Sequence, residues 1–174
     1  MVKSIVTKFG DKGKTLLYSG TVVDKDHISI ETCGEIDELS SYLGLAKSLI
    51  KSKRTKKIIE FCQQDLFLIG TEVALEAKDI IRLKERINKS FISNLERRIL
   101  QLEKKGVIKK RCFHLPGKNI ISGNLDVARA ITRRVERKIV TLAKKKKLKN
   151  KHILVYLNRL SDFLYLLARF YESK

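Results

Sequence analysis

Arg129, Arg133 and Arg137 recur every fourth residue along one segment, with Arg134 and Glu136 set between them. If the segment is helical, that spacing puts the three guanidinium groups in one stripe. A guanidinium is a planar fork that matches phosphate or carboxylate oxygens. The neighbouring positions carry Ala128, Ile131, Val135 and Ile139, so the helix is largely packed. A row of cations beside a core is costly unless anions meet it. Two readings stay open at this level: a surface for an anionic ligand, or a basic face that is solvated or tied by salt bridges to Asp37 or Glu38.

A second constellation opens the chain: Thr7-Lys8-Phe9-Gly10-Asp11-Lys12-Gly13-Lys14-Thr15. Glycines let backbone N–H groups approach an anion closely, and the lysines add charge. The Gly13-Lys14-Thr15 triplet looks like the end of a P-loop. However, Lys8 stands where that motif needs a glycine, and no convincing helix follows Thr15. The segment is a phosphate-loop candidate or a plain surface turn. Near the C-terminus, Asn158 and Asp162 lie one turn apart. Asp162 reads as the partner of an arginine, while the Asn158 amide can both donate and accept. Asp37 and Glu38 read most simply as acids at a helix N-terminus.

Other chemistries lack their signatures. His27, His114 and His152 have no metal-ligand spacing, and neither HExxH nor GxSxG occurs. No nucleophile–base pair is legible. Phe9, Phe113 and Tyr156 do not form the aromatic pattern of an RNA-binding sheet, and no helix-turn-helix signal stands out.

The elements that must position these residues are mostly helices. Leu39, Leu43, Ala46 and Ile50 give a first amphipathic helix from about Cys33. Ile58, Phe61, Cys62, Leu66 and Ile69 continue in a second, to about Ala77. Ser90 can cap a third, with Ile92, Leu95, Ile99 and Leu102 on its face and Gly106 ending it. A loop with Phe113 and the Leu115-Pro116-Gly117 turn follows. Ser122 can cap a fourth helix carrying Val127, Ile131, Val135 and Leu142. A fifth runs from about His152 to Tyr171, with Leu157, Leu160, Leu164 and Leu167 inward. This predicts an all-α, five-helix, ferritin-like up-and-down bundle. Before it lies an irregular glycine-containing head, in which Lys3 to Val6 and Thr21 to Val23 are β-like. The chain reads as one domain over 1–174, with a head over 1–31 and a bundle over 32–174.

The 174 residues carry 38 Lys+Arg against 19 Asp+Glu, a formal net charge of +19, with one proline and 43% apolar residues. That composition favours a folded core over disorder and favours anionic partners without choosing among them. The run Lys144 to Lys147 reads as a solvated face. Cys33, Cys62 and Cys112 are widely spaced and odd in number, which suits reduced thiols in a cytoplasmic protein. No apolar signal core or membrane-spanning run is legible.

Taken in order, the segments resemble the PduO-type ATP:cob(I)alamin adenosyltransferases. Four blocks carry the resemblance across nearly the whole chain. They are Thr7 to Gly13; Lys25-Asp26 with Glu31, Gly34 and Asp37-Glu38-Leu39-Ser40-Ser41; Phe113-x-Leu115-Pro116-Gly117 leading to Ala128-Arg129-x-x-x-Arg133-Arg134-x-Glu136-Arg137; and Leu157-Asn158-Arg159-Leu160-Ser161-Asp162 with Ala168-Arg169. The resemblance implies a homotrimer with ATP held between adjacent subunits. On it, Thr7, Lys8, Phe9, Gly10, Asp11, Lys12, Gly13, Thr15 and Lys25 cradle phosphates. Arg133, Arg134 and Arg137 lie against the nucleotide, with Glu136 and Asn158 nearby and Arg129 supporting the stripe. Asp37 pairs with Arg133 and fixes it, and Phe113 sits against the corrin face.

The implied reaction is attack of corrinoid Co(I) on the 5′ carbon of ATP, giving adenosylcobalamin and triphosphate, with Mg²⁺ carried on the phosphates. Implied partners are a flavoprotein reductase and an adenosylcobalamin-dependent enzyme, with neither nucleic acid nor membrane involved. Departures from the family pattern fall at Phe9, Lys118, Val22 and Ser29. Two alternatives remain beside this reading: a non-catalytic helical nucleic-acid-binding protein, and an ATP-binding sensor that has lost corrinoid chemistry.

Overall fold

The computed structural model describes residues 6, 8–76, 78–108 and 114–173. Five helices dominate: α1 (Ile28–Leu49), α2 (Lys53–Val73), α3 (Lys89–Glu103), α4 (Ile120–Lys144) and α5 (Lys151–Glu172). Before α1 comes a two-stranded antiparallel hairpin, β1 (Lys14–Leu16) and β2 (Val22–Asp24), in which Thr15 pairs with Val23. One 3₁₀ turn, Phe9–Lys12, precedes the hairpin and another, Ile80–Arg82, lies between α2 and α3. The all-α expectation and the helix count therefore hold, as does the irregular head.

The heptad-like apolar positions do what their spacing predicts. Leu39, Leu43, Leu66, Ile69, Leu125, Val135, Leu157, Leu160 and Leu164 are fully buried in one cluster. α4 and α5 pack most extensively, α1 packs on α4 and α2, and α3 packs on α5. Two positions expected inward are not: Phe61 is 43% and Val127 41% exposed. Among the described residues no helix is long and apolar enough to cross a membrane.

Several boundaries move for identifiable reasons. α1 begins at Ile28, five residues before Cys33, because the His27 side chain accepts from the Ser29 N–H and caps it. The head therefore ends at His27 and not at residue 31. Asp37 and Glu38 are then well inside α1, so their reading as N-terminal acids fails. α2 stops at Val73 instead of running to about Ala77. Asn88 caps α3 by accepting from Ser90 N–H at 2.8 Å, so Ser90 is the capped residue and not the cap. At α4 the cap is Asn119, and Ser122 answers it in a reciprocal capping box. Of the two β-like pieces, Thr21 to Val23 is close to β2, whereas residues 3–5 of the other lie outside the described residues.

Polar ties fix the ends of the bundle. The buried Glu72 carboxylate accepts from Arg86 Nε and Nη2 and from Asn150 Nδ2, the cap of α5. The head is fastened to the same end, by Tyr18 N–H to Ala74 O at 2.9 Å and Thr21 Oγ1 to Glu76 Oε1 at 3.0 Å. Between α4 and α5, the buried Arg169 pairs with the buried Asp126 and also reaches Glu172 at 2.9 Å.

Candidate functional site

The head builds a tight, cationic turn. Lys8 (φ 58°) and Gly13 (φ 74°) flank the Phe9–Lys12 turn in left-handed conformations. Gly13 O accepts from Lys25 N–H at 2.9 Å, drawing the residue after β2 back onto the turn. A Cβ added at Gly10 would lie 3.0 Å from Lys25 Nζ, so the Lys25 ammonium rests on the bare glycine. Lys8, Asp11 and Lys12 are exposed, Phe9 is half-exposed at 49%, and Thr15 is half-buried in β1. The sequence-expected cradle residues from Lys8 to Gly13, with Lys25, thus form one local structure. Thr7 lies outside the described residues.

The arginine row on α4 divides into paired and unpaired members. Arg129 Nε donates to Asp126 Oδ1 at 3.4 Å, and Asp126 is itself held by Arg169. Arg134 pairs with Glu38 and lies 3.6 Å from Glu35, while Lys138 pairs with Glu31 at 2.8 Å. The carboxylates of α1 therefore neutralise that side of α4, with Glu38 paired to Arg134 and not to the row of Arg129, Arg133 and Arg137 that the salt-bridge alternative concerned. Arg133 and Arg137 are exposed. Arg137 Nη1 donates to the Arg133 carbonyl at 3.0 Å, and neither guanidinium has a carboxylate partner among the described residues. Beside them, Glu136 Oε1 accepts from Asn158 Nδ2 at 3.2 Å, which brings α5 into the group. Asp162 pairs with Arg159 at 3.3 Å, as its simplest reading held.

Asp37 stands apart from this cluster. It lines a cavity of about 330 Å³ between α1 and α2, with Tyr18, Gln63, Phe67 and Gly70 among its neighbours. No ion pair joins it to Arg133 within the chain. Tyr18 belongs to the head, so Asp37 is grouped with the head. The sequence-derived residues therefore form two patches, head with Asp37 and stripe with Asn158. No hydrogen bond or ion pair joins residues 8–25 to Arg133 or Arg137.

A third feature connects to the stripe through Arg159, which donates to Asn158. A cleft of about 530 Å³ between α3 and α5 is lined by Ile99, Leu100, Ile108, Arg159, Tyr165 and Leu166 among others. Ile108 ends the described chain before residues 109–113, which include Phe113; that position lies outside the described residues. The turn at Pro116-Gly117, with Gly117 at φ 92°, then leads into α4.

The two described thiols, Cys33 and Cys62, offer no reactive nucleophile. Burial pushes Cys33 up to about 11 and Cys62 up to about 12. Burial likewise raises the Asp65 carboxyl, which accepts from the buried Tyr156 hydroxyl at 2.7 Å. The residues to which sequence reasoning gave no role are structural partners: Glu35 and Lys138 beside Arg134, Asp126 and Arg169 behind Arg129, and Arg159 on Asn158, Arg159 and Arg169 having entered only as parts of the resembling blocks. Asp126 was findable, since it precedes Arg129 by three residues, the spacing of a helical ion pair.

The chain matches the family model described as cobalamin adenosyltransferase over residues 5–171. It is 38% identical to a corrinoid adenosyltransferase of Citrobacter freundii, covering 97% of this chain and 95% of that one. It is 36% identical to a corrinoid adenosyltransferase of Bacillus subtilis, covering 98% of this chain and 87% of that one. Its fold superposes with a TM-score of 0.87 on a variant PduO-type ATP:corrinoid adenosyltransferase from Lactobacillus reuteri complexed with cobalamin and ATP, at 35% identity and covering 98% and 94% of the two chains. The chain belongs to the cobalamin adenosyltransferase family.

Proposed function

We infer that the two patches are halves of one ATP site that is completed across a subunit boundary, in a homotrimer. The activity is transfer of the adenosyl group from ATP to cob(I)alamin. In it a cobalt–carbon bond forms at C5′, the C5′–O bond breaks, and its electron pair leaves with triphosphate. Co(I) brings the nucleophile, so the protein's task is to align two reactants and to stabilise a polyanionic leaving group. Alignment and preorganised charge are the large terms in such a task.

The observation that carries this reading is the contrast within α4. Arg134 and Lys138 are matched by acids, yet Arg133 and Arg137 on the same helix are not. Unmatched guanidiniums in a fixed row suit a polyphosphate supplied from outside the chain. The head of a neighbouring subunit, with Lys8, Lys12 and Lys25 around Gly10 and Gly13, would wrap the other side of the phosphates, with Thr7 and Thr15 adding hydroxyls. The same juxtaposition would let Asp37 of one subunit meet Arg133 of the next. Mg²⁺ fits this donor set as an ion held mainly by phosphate oxygens and water, with the exposed Asp11 at hand.

The cleft between α3 and α5 is the proposed corrinoid side, because it mixes apolar walls with polar groups and touches Arg159, the neighbour of Asn158. Phe113, on the segment that begins beyond Ile108, would close against the corrin face. A one-electron donor such as a flavoprotein must supply Co(I), and an adenosylcobalamin-dependent enzyme must take the product. The nucleic-acid alternative rests on charge alone, and on α4 the acids of α1 already match Arg134 and Lys138.

Incubation with ATP, Mg²⁺ and chemically reduced cobalamin should produce the absorption spectrum of a cobalt–carbon bond. A protein that binds ATP but never yields that spectrum would be the sensor of the second alternative.

A further inference from the structure

We infer that Arg159 is a positioning residue for adenosyl transfer, because it fixes which way the Asn158 amide points and hence what Glu136 presents to the nucleotide. This rests on the assignment of Asn158 and Glu136 to the ATP site above.

Asn158 sits between opposite charges. Its Nδ2 donates to Glu136 Oε1 at 3.2 Å, and its Oδ1 accepts from Arg159 Nη2 at 2.5 Å. An amide keeps nearly the same shape when turned by half a rotation, so only its partners choose the orientation. In the observed orientation both contacts attract. Turned over, the amide oxygen would face the carboxylate and the NH₂ would face the guanidinium, and both contacts would repel. Two charged neighbours therefore lock one neutral group.

The lock is anchored from behind. Arg159 also pairs with Asp162, about one helical turn away, at 3.3 Å, and Ser161 Oγ donates to the Asn158 backbone carbonyl at 3.0 Å. Asp162, Arg159, Asn158 and Glu136 thus form one line running from α5 to α4, and it ends beside the unpaired Arg133 and Arg137. Among the described residues no hydrogen bond engages Glu136 Oε2, which leaves that oxygen for a ligand. Arg159 also lines the cleft between α3 and α5, and its buried Nε has no hydrogen-bond partner among the described residues. A purely structural role accounts poorly for this, because a partly exposed pair such as Arg159–Asp162 contributes little to stability.

Without Arg159, the amide is held by Glu136 alone. It can then rotate toward solvent, and Glu136 loses its fixed donor. Nucleotide affinity should fall while the bundle stays folded.

The test uses Arg159→Met, which keeps the shaft and removes the charge, alone and combined with Asn158→Ala. ATP KM and kcat are measured at saturating cob(I)alamin, and hydrogen exchange of the Asn158 side-chain amide is followed by NMR without nucleotide. Loss of a charge-assisted contact should raise ATP KM about tenfold, with the melting temperature nearly unchanged and the amide protons exchanging faster. On the Asn158→Ala background, Arg159→Met should add almost nothing, since its partner is already gone. Additive losses, or unchanged amide exchange, would overturn the role of Arg159 alone. If Asn158→Ala leaves ATP KM unchanged, the assignment of Asn158 to the nucleotide fails and takes this inference with it. Should Arg159→Met fail to fold, Asp162→Asn loosens the same guanidinium. It should raise KM in the same direction by less, and again not on the Asn158→Ala background; an additive effect there would also overturn the role.

Discussion

The two flanks of α4 carry the same kinds of side chain and treat them differently. On one flank, Arg134 and Lys138 meet Glu31, Glu35 and Glu38 of α1. On the other, Arg133 and Arg137 meet no carboxylate of the described chain. Exposed ion pairs contribute roughly 0–1 kcal/mol, so the acids of α1 do little for stability. Their effect is to remove charge from one flank and leave the other as the place where an anion is wanted. A count of basic residues does not distinguish the flanks; the supply of partners does. Arg129 is a third case, tied to a buried carboxylate that a second arginine also holds.

That third case gives the largest expected effect. Asp126 is 4% exposed and serves both Arg169 and Arg129. Asp126→Ala leaves the buried Arg169 guanidinium with Glu172 as its one remaining carboxylate among the described residues and strips Arg129 of its partner, which should cost about 3 kcal/mol, the low end for breaking a buried pair. Chemical denaturation should show the drop in midpoint without a change in slope. An undiminished midpoint would mean that Glu172, already 2.9 Å away, is sufficient for Arg169.

The paired and unpaired flanks separate next. Arg133→Ala should lower kcat/KM by about 100-fold or more, the scale of a lost transition-state charge contact. Arg134→Ala should cost only a few-fold, because its charge is already spoken for by Glu38 and Glu35. Both variants should keep the wild-type melting temperature within a few degrees. Equal losses in the two would erase the distinction between the flanks and return the helix to a uniformly basic face.

The head supplies a finer contrast. Gly13 has φ 74°, where a side chain is strained, while Gly10 has an ordinary φ and carries the Lys25 ammonium 3.0 Å from where a Cβ would stand. Gly13→Ala should destabilise the head by about 1 kcal/mol and raise ATP KM. Gly10→Ala only pushes aside the end of a flexible lysine, so it should raise ATP KM with no change in stability. Hydrogen exchange of the β1–β2 amides separates the two, and faster exchange in both variants would mean that Gly10 too is structural.

Much of this was legible in the residues. The i, i+3, i+4 pattern of leucines and isoleucines set all five helices, because burial decides their faces. The starts of α1 and α4 were less legible. His27 is a poor sequence signal for a cap, and Asn119 and Ser122 are both good ones, so position alone could not choose between them. The strand β1 was invisible: Lys14-Thr15-Leu16 is short, and it is held by pairing with Val22–Asp24 and by the seating of the head on Ala74 and Glu76. Among the candidate site residues, type and spacing singled out Arg129, Arg133 and Arg137 as a row and left Asn158 open, while the resemblance added Glu136 and Asn158 beside the nucleotide. They could not separate Arg133 from Arg134, since that difference depends on which flank α1 covers. Nor could they place Asp37 with the head, because that grouping arises from tertiary packing around Tyr18.

The smallest expected effect lies at the joint between the head and α1. His27 caps α1 through Nδ1, which accepts from Ser29 N–H at 3.3 Å, and its Nε2 lies 2.8 Å from Lys147 Nζ. Burial lowers its pKa from the ordinary 6.5, and Lys147 pushes the same way. A folded pKa below the unfolded one means that the neutral ring is the stabilising form. Its contribution is fully present above pH 6.5 and is lost as pH falls through the lowered folded value. Protonation removes the cap acceptor and sets a positive charge at the positive end of a helix dipole. His27→Asn keeps a cap acceptor that does not titrate. Between pH 7 and pH 5 the wild-type melting temperature should therefore fall further than that of His27→Asn, and ATP affinity should weaken in parallel as the head loosens beside Lys25. Parallel melting curves for the two proteins would show that the joint is held by the hairpin contacts to Ala74 and Glu76 and not by the imidazole.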